Sequence, residues 1–257
     1  MKLTKKVISN KYFLSFIGII FFFLLWVSIY FIAGQKQSVF PSPIETFEQM
    51  FIYLGDPFTY RCILGSLERM LIGFSIGSST AILLGVIVGN FIKLKYVFKP
   101  TMVALKSIPT AALTFLFLVL AGLRNAPIYI VVIIVFPIVY EATIGGYSSI
   151  DEFVLMSTRV DGANLFKSNL KIKFPLAFKT ISLGLISSFT LSFKIEIMAE
   201  VISGSSSEGL GRAIQSAYLN SSNGMVPTFA YSLIAILIML LVTFIFDVLK
   251  KILKINA

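Results

Sequence analysis

The chain has no histidine and one cysteine, Cys62. That excludes a histidine–thiolate metal site, a catalytic dyad built on either residue and an internal disulfide, and leaves only carboxylate metal sites open. Charge is scarce: 13% of residues are charged, where a soluble domain carries roughly a quarter. No Gly-x-x-x-x-Gly-Lys-Ser/Thr run occurs, so the chain encodes no phosphate cradle of that kind and no nucleotide site. There is also no soluble domain, low-complexity tract or convincing internal repeat.

What fills the space is apolar. The hydrophobic fraction is 57% and the mean hydropathy is +0.91, more than one water-soluble core can hide. The alternative solvent is lipid, which demands runs of about 20 apolar residues folded as helices. The net charge of +10 does not indicate nucleic acid, because the basic residues form short clusters between apolar runs instead of a basic face. The expectation is an all-α, multi-pass protein of the cell membrane, in contact with lipid and with no nucleic-acid partner.

Six spans are expected: 12–35, 63–92, 101–123, 127–147, 179–203 and 226–247. The second has its uncharged core at 70–92, the fourth contains Glu141, and the fifth contains Lys194, Glu196 and Glu200. Lys2, Lys5, Lys6 and Lys11 before the first run imitate a signal peptide, but 12–35 is too long for a secretory core, so it reads as a retained span. If the N-terminus is cytoplasmic, fifteen of the 22 basic residues fall on that side and four on the other. This asymmetry places both termini inside. Pro109, Pro127 and Pro137 are expected to mark a kink, a helix start and a second kink.

The loops differ in character. Residues 36–62 lie outside and include Ile44, Phe47, Phe51 and Leu54, the pattern of an interfacial helix. Residues 204–225, rich in Gly, Ser and Asn, also lie outside. The long cytoplasmic loop, 148–178, has Phe153, Met156, Val160, Leu165 and Phe166 as its apolar positions, and breaks at Asp161-Gly162. After Gly162-Ala163 comes Ile172-Lys173-Phe174-Pro175, where Pro starts the next helix. Gly lets two short helices meet at an angle, which yields either a knob that fits a partner's groove or a structured loop that touches nothing.

This loop resembles the signature of binding-protein-dependent ABC permeases: Glu-Ala-Ala, three residues, Gly, nine residues, Ile, one residue, Leu-Pro. Gly162, Ile172 and Pro175 match, Phe174 replaces Leu, and Met156-Ser157-Thr158 stands in place of Glu-Ala-Ala. The nitrate/sulfonate/taurine-type branch is similar along nearly the whole chain. The matches are Phe40-Pro41-Ser42-Pro43, then Ser66-Leu67-Glu68-Arg69 with Gly73-Phe74, Gly85 and Gly89. They continue with Pro100, Ser107-Ile108-Pro109 and Ala112, and end with Ala199-Glu200 and Gly209-Leu210-Gly211. Phe115 stands where that branch often has a second Pro.

The resemblance implies a type I ABC importer permease fold, six helices in one domain. It implies that the 153–170 loop is a coupling helix docking on a cytoplasmic ATPase dimer, with Val160, Asp161, Gly162, Ala163, Asn164, Leu165, Phe166, Ile172 and Pro175 at the contact. It further implies a second permease copy, identical or paralogous, and an extracytoplasmic substrate-binding protein. ATP and Mg would sit on the ATPase, and this chain would hold no cofactor and catalyse nothing.

Charges inside spans need a reason, since an unpaired one at mid-membrane costs about 2.5–3.5 kcal/mol. Glu196 and Glu200 share a helix face four residues apart, and Lys194 points elsewhere. With Ser188 and Ser192, these residues either line a translocation path or form ion pairs with Arg69 or Lys106. Glu200, which matches the family pattern, is the better structural candidate. Gly73, Gly77, Gly85 and Gly89 are spaced for close helix packing. The leading reading is an importer's permease working by alternating access. The alternatives are a stand-alone secondary transporter or channel using Glu196 and Glu200, and, last, a membrane-embedded enzyme.

Overall fold

The computed structural model describes residues 11–33, 40–154, 156, 168–204, 208–220 and 224–252. Among them every regular element is helical. These are α1 (Lys11–Ile32), α2 (Pro43–Leu54), α3 (Pro57–Asn90), α4 (Ile92–Ser107), α5 (Thr110–Ser148), α6 (Phe174–Ser203), α7 (Leu210–Leu219) and α8 (Val226–Ile252). A π-helical turn, Asn169–Lys173, runs straight into α6.

Proline and glycine set most of the boundaries. Pro43 and Pro57 open α2 and α3, where a missing N–H costs nothing. Gly55 closes α2, its N–H reaching the carbonyls of Phe51 and Ile52. Gly204 closes α6 in the left-handed conformation (φ 59°, ψ 38°), donating to the Glu200 carbonyl at 3.1 Å, a conformation glycine adopts without penalty. Pro175 explains the π turn. In an α-helix its ring would crowd the carbonyl four residues back, and the wider turn, with the Phe174 N–H on the Asn169 carbonyl, makes room.

The chain packs as two units, residues 1–57 with 213–234, and residues 58–212 with 235–257. In the first, α1 buries no residue of its apolar span, although Trp26, Val27 and Tyr30 are partly covered. Its Trp26 indole N–H donates to the Pro41 carbonyl at 3.2 Å, and its ring lies beside Phe47 and Phe229. Tyr53 and Tyr231 stack at 4.2 Å. The stretch read as interfacial contains α2, which buries Thr46 and Met50 and exposes Ile44 and Phe51.

In the second unit, α5 is 39 residues long, about 58 Å at the α-helical rise and nearly twice the hydrocarbon thickness. It breaks at Gly122 (φ 76°, ψ 169°). Phe117 and Tyr129 stack with centroids 5.6 Å apart, although twelve residues of straight helix would separate them by about 18 Å. The two arms, 110–121 and 123–148, therefore fold back on each other. The described residues contain five helices long and apolar enough to cross a membrane, α5 counted once. The expected third span, 101–123, falls on the end of α4 and the first arm of α5, and the fourth, 127–147, on the second arm. The turn between them comes at Gly122, ahead of the position expected, and Pro109 separates two helices where a kink was expected.

The glycines of α3 show how the unit is assembled. A Cβ on Gly73 would lie 2.7 Å from the Ile128 carbonyl oxygen, and one on Gly77 2.9 Å from that of Val132. Gly85 faces Thr143 and Gly89 faces Tyr147. Partner numbers rise together, so α3 and the second arm of α5 run parallel, the reversal between them being made by α4 and the first arm. Gly146 meets Ala177 and Gly184 meets Ala142, so α6 runs antiparallel to that arm. The core between these helices holds Ala81, Val88, Met102, Ile130, Val131, Val135, Val139 and Tyr140.

Candidate functional site: a buried charge cluster on two spans

Arg69 of α3 and Glu196 and Glu200 of α6 meet inside the second unit. Arg69 is 7% exposed and both glutamates are fully buried. The Arg69 Nε lies 3.2 Å from Oε1 of each glutamate, and its Nη2 bonds Glu200 Oε1. Placing a carboxylate every fourth residue of α6 puts both on the face that meets α3.

Around this core, backbone groups from a distant segment complete the bonding. The Ser66 hydroxyl lies 2.9 and 2.8 Å from the two Glu200 oxygens and accepts the Leu210 N–H at 2.9 Å. The Gly211 N–H donates to Glu200 Oε2 at 2.8 Å, and Arg69 Nη2 donates to the Glu208 carbonyl at 2.9 Å. Glu200 thus has every oxygen engaged. Glu196 does not: its Oε2 has no hydrogen-bond partner among the described residues. Burying two ions is costly, and only such additional bonds make a pair tolerable.

The other charged residues singled out in the sequence lie elsewhere. Lys106 pairs with Glu141 across α4 and α5, both about half exposed. Lys194 is exposed and, among the described residues, makes no ion pair. It lines a cavity of about 440 Å³ with Phe193, Ile197, Ala235, Ile236, Met239 and Leu240. The Ser188 and Ser192 hydroxyls donate to carbonyls of their own helix, Leu185 and Phe189.

Of the coupling positions, Val160, Asp161, Gly162, Ala163, Asn164, Leu165 and Phe166 lie outside the described residues. Ile172 sits in the π turn and Pro175 in the first turn of α6. Sequence reasoning missed Lys173, whose ammonium donates to Asn90 Oδ1 at 2.8 Å and ties the start of α6 to the end of α3. It also missed the bonding roles of Ser66 and the Glu208–Gly211 backbone, although the Gly-x-Gly at 209–211 was visible.

The model of the binding-protein-dependent transport system inner membrane component family matches residues 81–254. A probable ABC transporter permease protein of Brucella melitensis is 26% identical over 208 residues, 80% of this chain and 82% of that protein. A nitrate import permease protein of Synechocystis is 30% identical over 204 residues, 74% and 72% of the two chains. Among solved structures, an inward-facing methionine ABC transporter superposes with a TM-score of 0.63 at 15% identity. That match covers 78% of this chain and 97% of the other.

Proposed function

The chain belongs to the family of binding-protein-dependent transport system inner membrane components, and from that premise we propose that it carries a small solute inward, driven by a partner ATPase. It is a non-catalytic, multi-pass subunit of the cell membrane. The observation that carries the reading is the family match from Ala81 to Lys254, which takes in α4 to α8 in order.

The mechanism proposed is alternating access. A cytoplasmic ATPase dimer, holding ATP and Mg, closes and opens beneath the 153–170 loop, which passes the movement on. Pro175 and the π turn join that loop directly to α6, and Lys173 ties the same point to α3. Displacement of the loop then reaches the two spans that hold the charge cluster. A second permease copy supplies the other half of the path, an extracytoplasmic binding protein delivers the solute, and both termini lie in the cytoplasm. The nitrate import relative supports a small anion as the solute. The reading that uses Glu196 and Glu200 as ion-coupling groups in a stand-alone carrier fits less well, because Glu200 is fully engaged by Ser66, Arg69 and Gly211.

Purification of the tagged chain from its native membrane in mild detergent is expected to recover a P-loop ATPase and a binding protein, identified by mass spectrometry. Recovery of the chain alone, with transport that needs no ATP after reconstitution, would overturn the importer. Within the recovered complex, Gly162→Trp is expected to leave the permease in the membrane while uncoupling ATP hydrolysis from uptake. Normal uptake in that variant would remove the loop from the coupling role.

A further inference from the structure

We propose that the Glu208–Gly211 segment is a strap that lifts during the transport cycle, and that Glu196 is the second seat Arg69 takes when it does. The proposal rests on the importer reading. It starts from an excess. One buried guanidinium needs one buried carboxylate, and Glu200 already fills that place with all its bonds made. Glu196 adds a second, fully buried carboxylate in the same span, with one oxygen bonded to Arg69 and the other to nothing described. A half-bonded buried carboxylate is a net cost, so it calls for a state in which it is fully bonded.

The strap supplies that state. Its polar contacts are the Glu208 carbonyl on Arg69, the Leu210 N–H on Ser66, the Gly211 N–H on Glu200 and the Gly209 backbone on Cys62, with an exposed ion pair between the Glu208 carboxylate and Arg61 at 3.4 Å. Its seat is cut for glycine. A Cβ on Gly65 would lie 2.3 Å from the Glu208 carbonyl oxygen, and one on Gly211 2.4 Å from that of Ile197. A segment held by a few hydrogen bonds, one exposed ion pair and a single buried bulky side chain, Leu210, is light enough to release.

Release would strip Arg69 of a carbonyl and Glu200 of an N–H, leaving the pair short of partners inside the protein. Glu196 lies one helical turn away, its Oε1 already 3.2 Å from Arg69 Nε and its Oε2 open. Turning the guanidinium onto both oxygens of Glu196 gives a two-pronged pair, so Arg69 is paired with the strap down or up. Two packed arrangements of comparable energy are what a transport cycle needs.

The test uses the complete complex co-purified on the tagged chain, placed in lipid nanodiscs, without nucleotide and with ATP plus vanadate. Hydrogen exchange at the Leu210 and Gly211 amides is expected to rise about tenfold or more in one of the two states. In Glu196→Leu the rise is lost, most ATP hydrolysis is lost, and the melting temperature holds or increases, because an incompletely bonded carboxylate has gone. In Glu200→Leu exchange is fast in both states and the melting temperature falls. Equal protection of the two amides in both states of the wild type overturns the proposal, as does Glu196→Leu hydrolysing ATP normally. A fall in melting temperature for Glu196→Leu assigns it a merely structural role and also overturns it. A chain that brings no ATPase with it sinks the importer itself, an outcome distinct from an ATPase that turns over while both amides stay protected.

Discussion

Replacing Arg69 with methionine is expected to cost about 3–5 kcal/mol of stability, the range for breaking a buried ion pair by removing one partner. The reason is what remains. Glu196 and Glu200 are fully buried, and without the guanidinium their only described donors are the Ser66 hydroxyl and the Gly211 N–H. Two carboxylates one helical turn apart then repel in a medium of low polarity. The Glu208 carbonyl also loses its bond, so the damage extends to the segment before α7. The measurement is thermal unfolding of the purified chain in detergent, with its abundance in the membrane. The triple change of Arg69→Met, Glu196→Leu and Glu200→Leu is expected to recover much of the loss, since buried ionic groups replaced together by apolar ones of similar volume are tolerated. An Arg69→Met protein melting with the wild type would show that the cluster is dispensable.

The second large effect is expected at Gly77. Its Cβ position lies 2.9 Å from the Val132 carbonyl oxygen, 3.1 Å from Val132 Cα and 3.3 Å from Val135 Cβ. Two of these neighbours are backbone, which cannot rotate away, so Gly77→Leu must push α3 off the second arm of α5. Overpacking of this kind costs about 1–3 kcal/mol, sometimes more. Here it also opens the contact that aligns Gly73, Gly85 and Gly89, so the upper end of that range is expected. Gly18→Leu in α1 is the control, because nothing lies within 4 Å of its Cβ position. Both variants add the same side chain to an apolar helix, so a difference in melting temperature isolates the packing. Equal melting of the two would mean that α3 and α5 can separate without cost.

The long apolar helices were legible because lipid imposes a coarse demand, a run of uncharged residues, which composition alone reveals. The pairing of Arg69 with Glu200 was one of two readings the sequence left open, since charges in spans must meet a partner. Lys106 and Glu141 were each visible, but not as a pair. They lie 35 residues apart on helices joined through two breaks, and hydropathy says nothing about which faces meet. The break between the third and fourth spans was legible from Arg124, which ends the uncharged run, but its exact place was not: next to that run's end a glycine reads as helix, and only the positive φ of Gly122 marks the turning point. Ser66 and the Glu208–Gly211 backbone escaped because peptide N–H and C=O groups carry no sequence signature. Their role follows from where α3 and α6 bring a distant segment, which is a property of the packing.

The chain has a single tryptophan, and Trp26 sits where α1 meets the stretch before α2, its N–H on Pro41 and its ring beside Phe47 and Phe229. Ultraviolet emission from the isolated permease, excited selectively at the red edge of indole absorption, therefore comes from that junction alone. A shift of the emission to longer wavelength would report water or a lost bond there, while leaving the charge cluster silent. The first span of this protein carries its own optical label, and it needs no engineered probe to be followed.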